Sequence, residues 1–345
     1  MTTKAQAVVV TPDPTSRSGG TERFCRQLAT VLETCGFEVA LVAPAPAPTV
    51  LARQGAGFLW QARSVRRWVD EAELVVTSGF LGWPSRGRGR RIHVFVGNMV
   101  RLARLQGGCW HWRLRWGLAG GLAEALAARR AAVVAGSEQA AEDAARFYRA
   151  KVEAILPLGV DTDVFRPRDR AAARHRLNIS PDVRYSLFVG RGEPGKGPDT
   201  ALEASRLAGF TLLSAGARPP SGGLALGVLG DEDLAWAYAA ADAVVLPTRY
   251  EGFGYAAVEA LACGVPVITT ATGWARELGR DVPEYRPFLV PPEPAAVAAA
   301  LGRVGSGELD AATTAARRHV LRHNTLPAFE QRWTRFLQRR EVLAG

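Results

Sequence analysis

Two successive series of short apolar runs, each alternating with helical patterns, constrain the fold of this chain most strongly. The first series contains AVVVTP, FEVALVAP, AELVVTSG and RIHVFVG, with a helical pattern from Thr21 to Cys35. The second contains YSLFVG, FTLLSAG, LALGVLG, DAVVLPT and VPVITT, with helical patterns over 198–207, 231–240 and 255–263. This rhythm predicts parallel sheets wound with helices. We expect an α/β protein of two Rossmann-like domains facing across a cleft, with ligands at the carboxyl ends of the strands.

The domain boundaries follow from the same pattern. A length of 345 residues suits two domains, at roughly 100 to 200 residues each. The Pro- and Gly-containing stretch LPLGVDTDVFRPRD is the expected connection. We therefore predict an N-terminal domain over 1–167 and a C-terminal domain over 168–325. A terminal helix over 326–345, with Phe329, Trp333 and Leu337 on one face, is expected to cross back onto the N-terminal domain.

Composition excludes several classes of protein. With 48% apolar and 22% charged residues, the chain is neither disordered nor collagen-like. The opening MTTKAQAVVV lacks the apolar core of a secretory signal, and Glu124 interrupts the apolar stretch WGLAGGLAEALAA before it could span a bilayer. Four cysteines without paired spacing read as reduced thiols, with Cys263 expected to be buried. We expect a cytoplasmic protein.

The positive charge is concentrated in the first half of the chain. Residues 1–166 hold 22 of the 43 Lys and Arg residues but only 14 of the 33 Asp and Glu residues. Such an excess favours an anionic partner, which could be a phosphorylated substrate, a membrane surface or nucleic acid.

The segment FVGRGEPGKGPDTALEA predicts a strand, a Gly-rich turn and a helix. Backbone amides, the helix N-terminus and the side chains of Arg191 and Lys196 would together form a cradle for a diphosphate. The alternative is a surface turn with two solvated cations. The spacing Gly190-x-Gly192-x-x-Gly195 also fits a dinucleotide fingerprint, but the next strand, FTLLSAG, ends without the acidic residue that binds a ribose.

The segment LPTRYEGFGYAAVEALACGVPVI places two carboxylates around the start of a helix. Glu251 lies in the loop and Glu259 lies on the helix, and beside bound phosphates such carboxylates would accept hydrogen bonds from sugar hydroxyls. The alternative is a loop acid at Glu251 and a helix-dipole charge at Glu259.

Taken in order, GRGEPGKG and DLAWAYAAADAVVLPTRYEGFGYAAVEALACGVPVI closely resemble the C-terminal domain of retaining glycosyltransferases of the GT-B fold, family 4, with its Glu-x7-Glu motif. The resemblance extends through ILPLGVDTDVFRP, GSEQAAEDA and SGGTERFCRQLA, and so covers nearly the whole chain.

The resemblance implies a role for each matching residue. Arg191 and Lys196 would hold the donor diphosphate, Glu251 would contact the donor sugar and Glu259 would bind the ribose. Gly19 and Gly20 would let the N-terminal loop close over the diphosphate. The implied catalytic residues are Glu251, Arg191 and Lys196, and the implied donor-binding residues are Gly19, Gly20, Gly190, Arg191, Lys196, Glu251, Gly252, Phe253, Gly254, Tyr255 and Glu259.

Three positions depart from the family pattern. Leu158 stands where Asn is common and Thr248 where Ser is common, and the family's active-site histidine has no clear equivalent. His93 lies within a predicted strand and is left out of the catalytic list.

The acceptor site is expected in the N-terminal half, and its candidate residues are Asn98, Arg101, Trp112, Arg113 and Arg115. The run CWHWRLRWGLAGG leaves three interpretations open: part of the acceptor site, a membrane-surface contact, or a partly buried helix with solvated arginines.

We expect no cofactor and no metal ion, because Arg191, Lys196 and helix dipoles would meet the diphosphate charge. The pair Asp161-x-Asp163 mimics a metal-binding motif, but its place in the connecting segment favours turn chemistry.

The sequence thus predicts a retaining glycosyltransferase in bacterial glycoconjugate or secondary-metabolite biosynthesis. Its expected partners are a nucleotide-sugar donor and a small-molecule or lipid-linked acceptor, without nucleic acid and with peripheral contact to the inner membrane surface left open. A GT-B sugar epimerase or phosphorylase is the alternative enzyme, and an Arg-rich nucleic-acid-binding protein is the alternative from another class.

Overall fold

In a computed structural model that describes residues 6–13, 15, 19–49, 57–82, 87–105, 116–340 and 342, the chain forms two compact units. Unit 1 comprises Met1–Leu158 and Pro327–Gly345, and unit 2 comprises Gly159–Leu326. The first division falls inside the Pro- and Gly-containing connecting stretch. Among the described residues, no helix has the length and apolarity needed to cross a membrane.

Unit 1 contains a six-stranded parallel sheet in the order β2-β1-β3-β4-β5-β6. The sequence pattern identified the first four strands and missed the last two. The strands are β1 Gln6–Val10, β2 Glu38–Val42, β3 Leu74–Thr77, β4 Arg90–Phe95, β5 Ala132–Ala135 and β6 Val152–Ile155.

Helices cover this sheet through two apolar clusters. In one, Val8, Val10 and Val75 pack with Val65 and Val69. In the other, residues of β4 and β5 pack with Ala140, Ala144 and Tyr148. The helices of this part are α1 Gly20–Thr34, α2 Gly57–Ser64, α3 Arg66–Glu71, α4 Met99–Leu105, α5 Gly121–Ala128 and α6 Glu138–Tyr148.

Unit 2 contains a five-stranded parallel sheet in the order β11-β10-β7-β8-β9. The chain runs from β7 outward to β9 and then returns to the other side of β7, so the connections diverge between β7 and β10. Open α/β sheets bind ligands at such a switch point. The strands are β7 Tyr185–Val189, β8 Thr211–Ala215, β9 Leu224–Gly227, β10 Ala243–Leu246 and β11 Val267–Thr269.

The helices of unit 2 pack on this sheet as the sequence pattern led us to expect. Phe188, Val245 and Ile268 of the strands form one apolar cluster with residues of the second and sixth helices of the unit, including Leu202 and Leu301. The helices are α7 Arg170–Arg176, α8 Pro198–Leu207, α9 Asp231–Ala240, α10 Tyr255–Ala262, α11 Trp274–Asp281, α12 Pro294–Leu301 and α13 Gly307–His323.

The last helix, α14 Leu326–Arg339, supplies a large part of the aromatic core of unit 1. Phe329 and Trp333 are fully buried, and their rings lie 6.2 and 6.1 Å from the ring of Phe24 on α1. Arg332 donates a hydrogen bond to the carbonyl oxygen of Pro157 at 3.0 Å. The chain therefore returns to unit 1 after unit 2 is complete.

A charge cluster fixes the beginnings of β7 and β10. Asp242 accepts hydrogen bonds from the backbone amide of Tyr185 at 2.7 Å and from Arg174 at 2.8 Å, and it also contacts Arg170 at 2.8 Å. The side chains of Asp242 and Arg174 are only 12% and 9% exposed. The two strands that flank the switch point are thus joined at their amino ends by one carboxylate.

We expect Asp242→Ala to lower the free energy of unfolding of unit 2 by about 3 kcal/mol or more, because removing one partner of a buried ion pair leaves the other uncompensated. Chemical denaturation followed by tryptophan fluorescence measures the loss. Glu203→Ala, at an exposed position of α8, is the control and should stay within about 0.5 kcal/mol of the parent. Equal stability of the two variants would contradict this role for Asp242.

Candidate functional site

Two loops meet at the switch point of unit 2. The first follows β7 and runs from Gly190 to Gly197, and the second follows β10 and runs from Pro247 to Gly254. The backbone amide of Arg249 donates to the carbonyl oxygen of Gly195 at 2.8 Å, and the hydroxyl of Thr248 lies 3.2 Å from the same oxygen. We call these segments the β7 loop and the β10 loop. Their mutual hydrogen bonds place the sequence-predicted diphosphate cradle beside the sequence-predicted carboxylate loop.

Gly197 allows this close approach. It has φ +71°, and a Cβ at this position would lie 2.5 Å from the carbonyl oxygen of Pro247. A side chain would therefore push the two loops apart. Gly197 also precedes α8, so the same residue fixes the place of Lys196 at the end of the β7 loop.

An ion pair joins the charged groups of the two loops. The ammonium group of Lys196 donates a hydrogen bond to Glu251 Oε1 at 2.5 Å. Both side chains are partly accessible, with 31% of Lys196 and 23% of Glu251 exposed. The structure thus brings together two residues that sequence analysis assigned to different parts of the donor, and the ammonium is held where a ligand can reach it.

Arg191 has a carboxylate partner that sequence analysis missed. Its Nε lies 3.0 Å from Glu193 Oε1, while 66% of the arginine side chain and 17% of the glutamate side chain are exposed. Gly190, just before it, donates its backbone amide to the carbonyl oxygen of Ala215 at the end of β8. A glutamate two residues from an arginine inside a Gly-rich loop is the signal that could have revealed this pair.

The β10 loop leads into the N-terminus of α10. Gly254 caps the helix with φ +106°, a conformation that favours glycine. Phe253 and Tyr255 are buried with Gly252, and the Phe253 ring lies 5.7 Å from that of Tyr255. The carbonyl oxygen of Phe253 also accepts the backbone amide of Trp274 at 2.9 Å. The four residues from Gly252 to Tyr255 that the resemblance assigns to the donor are therefore supported by aromatic packing and by a hydrogen bond to α11.

Glu259 lies one turn into α10 and is 1% exposed. Its Oε2 accepts a hydrogen bond from the hydroxyl of Tyr238, on α9, at 2.8 Å. Tyr238 is itself fully buried, and sequence analysis did not identify it. A tyrosine in the apolar face of a helix gives no local signal of such a role, because its partner lies 21 residues away.

Gly19 and Gly20 lie at the N-terminus of α1 in unit 1, after β1. Gly19 has φ +108°, and the carboxylate of Glu22 lies so close to it that a Cβ on Gly19 would clash with Glu22 Oε2. Glu22 therefore lies against Gly19, one of the residues that the resemblance places at the diphosphate.

The described acceptor candidates both make contacts within unit 1. Asn98 is 1% exposed and caps α4, because its Oδ1 accepts the backbone amide of Arg101 at 2.9 Å. Arg101 Nε lies 3.3 Å from Asp143 Oδ1 on α6. Trp112, Arg113 and Arg115 lie outside the described residues.

Three other residues behave as the sequence suggested. His93 is fully buried within β4, where burial lowers its pKa to about 4, and its Nδ1 lies 3.1 Å from the hydroxyl of Thr77. Asp161 forms a turn by accepting the backbone amides of Asp163 and Val164 at 3.0 and 3.3 Å. Cys263 is buried, and burial raises its pKa to about 12.

Solved structures share this architecture along nearly the whole chain. Sucrose-phosphate synthase from Thermosynechococcus elongatus has a TM-score of 0.80 at 21% identity, covering 98% of this chain and 100% of that one. A HepE structure from Anabaena, determined with UDP and glucose, has a TM-score of 0.69 at 18% identity, covering 97% and 99%. The fold is GT-B. Its two Rossmann-like units and parallel sheets confirm the predicted fold class.

Sequence similarity is concentrated on part of the chain. Residues 184–306 match the family model described as "Glycosyl transferases group 1", a range that includes both the β7 and β10 loops. The D-inositol 3-phosphate glycosyltransferase of Mycobacterium tuberculosis is 43% identical over 153 residues, which cover 38% of this chain and 32% of that protein. The matched stretch is thus about a third of the relative. These matches favour neither the epimerase or phosphorylase alternative nor the nucleic-acid-binding alternative.

We expect Lys196→Ala to weaken binding of a nucleoside diphosphate by about 1.5 to 3 kcal/mol, since it removes a charge-assisted contact. Arg191→Ala should act in the same direction. Titration calorimetry with the diphosphate and with its nucleoside measures the difference, and nucleoside affinity should change far less. Lys151→Ala, the same substitution at an exposed site of unit 1, is the control. Equal losses for nucleoside and diphosphate would show that the cradle lies elsewhere.

Tyr238→Phe should lower the free energy of unfolding by about 1 to 3 kcal/mol, because it removes a buried hydrogen bond to a carboxylate. Thermal unfolding measures this loss. Tyr238→Leu, which removes the ring as well, should cost more, and a Phe variant as stable as the parent would contradict the importance of the hydroxyl.

Proposed function

We propose that this chain is a retaining glycosyltransferase of family 4, which moves a sugar from a nucleotide diphosphate donor to an acceptor hydroxyl. The observation that supports this most is the pairing of Lys196 with Glu251, where the β7 and β10 loops meet inside the range that matches the group 1 model. A cation for phosphate and a carboxylate for hydroxyls then lie side by side, as transfer from a sugar diphosphate requires.

Donor binding would exchange ion pairs. Lys196 and Arg191 each hold a carboxylate in the structure, namely Glu251 and Glu193. A diphosphate would replace these carboxylates as the partner of the two cations. Glu251, released from the ammonium group, would then accept hydrogen bonds from hydroxyls of the donor sugar. In this proposal no metal ion is needed, because side-chain cations and the N-terminus of α10 meet the diphosphate charge.

The transfer itself would proceed on one face of the sugar. The bond between the anomeric carbon and the leaving phosphate oxygen breaks, and a bond from that carbon to the acceptor oxygen forms on the same face. The acceptor proton passes to the oxygen of the leaving diphosphate. The protein would contribute mainly by positioning the reactants and by stabilising the negative charge that develops on the diphosphate.

Glu259 would bind the ribose of the nucleotide by accepting hydrogen bonds from its hydroxyls. Its hydrogen bond from Tyr238 fixes one carboxylate oxygen inside the unit, and this fixed orientation favours binding over catalysis. We therefore assign Glu251 to transfer and Glu259 to donor affinity.

For the acceptor, we propose a hydroxyl compound that carries or is linked to phosphate, in bacterial glycoconjugate or secondary-metabolite biosynthesis. The surplus of positive charge in residues 1–166 supports an anionic acceptor. The Mycobacterium tuberculosis relative is named for D-inositol 3-phosphate, which makes this compound the first to be tested. A lipid-linked acceptor, with peripheral membrane contact through the segment around Trp112, is the second.

A thermal-shift panel of UDP, GDP, ADP and TDP tests the proposal directly. A ligand that binds only the folded protein raises stability by RT ln(1 + [L]/Kd), or about 2.7 kcal/mol at a hundredfold excess over Kd. We expect one nucleotide to stabilise the parent clearly more than the other three. No stabilisation by any of them, at concentrations that saturate related enzymes, would overturn the proposed donor class.

The two glutamates should separate in their effects. Glu259→Gln should weaken nucleotide binding, whereas Glu251→Gln should bind a nucleoside diphosphate at least as tightly as the parent, because Lys196 loses its competing carboxylate. Transfer at saturating donor should fall strongly in Glu251→Gln. Donor titrations and transfer rates decide this, and an unimpaired Glu251→Gln variant would remove that residue from the site.

A further inference from the structure

A basic pocket lies at the amino ends of β4 and β5 in unit 1, and no step of the proposed reaction uses it. Its cavity measures about 500 Å³, within the range of about 300 to 1,000 Å³ that small-molecule sites occupy. Five arginines line it, two from the start of β4, two from the turn before β5 and one that directly follows α14. They are Arg90, Arg91, Arg129, Arg130 and Arg340, and we call this set the arginine pocket.

The sheet brings these arginines together. Ile92 pairs with Ala132 in the parallel register of β4 and β5, so the residues just before them enter the sheet side by side. The turn after α5 therefore places Arg129 and Arg130 beside Arg90 and Arg91. Two pairs of adjacent arginines, nearly 40 residues apart along the chain, thus meet at the amino ends of β4 and β5.

Two of the five side chains are anchored. Arg91 donates a hydrogen bond from Nη2 to the carbonyl oxygen of Gly87 at 2.8 Å. Arg340 Nη1 lies 3.3 Å from Glu153 Oε2. These contacts hold the two guanidinium groups in fixed positions at the pocket.

The other three guanidinium groups, of Arg90, Arg129 and Arg130, are not neutralised in the part of the chain that the structure describes, since none of them forms an ion pair there. Burial lowers the pKa of Arg91, while the charge of Asp70 on α3 raises it and that of Arg130 lowers it. Among the described residues, the carboxylates that contact or act on these arginines are Glu153 and Asp70, and the five arginines outnumber them. Like charges held this close favour an anion between them.

The C-terminus of α5 explains only part of this arrangement. Cations are favoured at the last turn of a helix, and Arg129 and Arg130 follow that turn directly. Arg90, Arg91 and Arg340 belong to other elements, and no helix C-terminus accounts for the two on β4. If Arg129 and Arg130 were only cations at a solvated helix end, nothing would bring the other three arginines to the same cavity.

The position separates this pocket from the sites already described. Asn98 and Gly19 follow the carboxyl ends of β4 and β1, whereas the arginine pocket lies where β4 and β5 begin. In a parallel sheet the amino ends and the carboxyl ends of the strands lie on opposite sides of the sheet. An acceptor bound near the carboxyl ends would not reach it.

We propose that the arginine pocket binds a multiply charged phosphate group, such as a polyphosphate or the phosphorylated headgroup of a lipid. Guanidinium groups form bidentate, charge-assisted hydrogen bonds with phosphate oxygens, and several of them around one cavity suit a ligand with closely spaced phosphates. The pocket accounts for four of the 22 Lys and Arg residues of the first half, and so for part of its charge surplus.

Inorganic tripolyphosphate is the probe for a soluble ligand, and titration calorimetry at low ionic strength is the measurement. Because tripolyphosphate would also bind the β7 loop, all variants carry Arg191→Ala and Lys196→Ala. Adding Arg129→Gln and Arg130→Gln should weaken tripolyphosphate binding about tenfold or more. A factor of ten corresponds to about 1.4 kcal/mol, below the value of one lost charge-assisted contact.

Arg318→Gln with Arg322→Gln is the matched control. Both arginines are exposed on α13 in unit 2, and the pair changes the net charge by the same amount. This control should retain tripolyphosphate affinity within about twofold, since its charges lie outside the pocket. Equal losses of tripolyphosphate affinity in the two sets, or no loss in either, would overturn the proposal. The five arginines would then be a solvated basic surface without a ligand. Because the background already lacks the donor cations, the result does not depend on the proposed transferase activity.

Vesicles distinguish the two sources of phosphate. Sedimentation with phosphatidylglycerol vesicles, compared with phosphatidylcholine vesicles, shows whether the protein binds anionic lipid. Loss of this binding in the Arg129→Gln, Arg130→Gln set, and competition by tripolyphosphate, would identify a lipid headgroup. Tripolyphosphate binding without vesicle binding would identify a soluble phosphorylated ligand, and both results support the pocket.

Discussion

Parallel pairing of β7 with β10 is the constraint on which the candidate site depends. Residues far apart in sequence become neighbours because Ser186 and Leu187 align with Ala243 and Val244. Asp242 joins the two strands at their amino ends, and beyond their carboxyl ends the loops are joined by hydrogen bonds from Arg249 and Thr248 to the carbonyl oxygen of Gly195. The strand pair therefore acts as a rigid support, and the charged side chains need only short loops to meet.

The two cations assigned to the diphosphate already have acidic partners before any ligand arrives. Arg191 pairs with Glu193 and Lys196 with Glu251, and these side chains are partly accessible. Such a pair loses less solvation than a buried one, so a phosphate can replace the carboxylate without stranding a charge in the interior. The arginine pocket of unit 1 is built differently, because its cations outnumber the carboxylates that face it.

Local patterns were sufficient to predict much of this molecule. The helical patterns over 198–207 and 231–240 predicted α8 and α9, and both helices begin and end at those residues. The Gly-rich turn and the paired glutamates identified the two loops. The contacts of the charged residues were not predictable, because they depend on loop geometry and helix packing. These contacts pair Arg191 with Glu193, Glu259 with Tyr238 and Glu251 with Lys196. The arginine pocket needs Arg340, whose neighbours precede it by more than 200 residues.

The return of α14 to unit 1 has a consequence for the order of events on the ribosome. Unit 2 is continuous in sequence, so all of its residues have been synthesised by Leu326. In unit 1, the ring of Phe24 gains its aromatic neighbours only after Phe329 and Trp333 have been synthesised. Domains usually fold from the N-terminus onward as they emerge. Here the later unit is complete in sequence first, and the earlier one can assemble its aromatic core only after the later one has been synthesised.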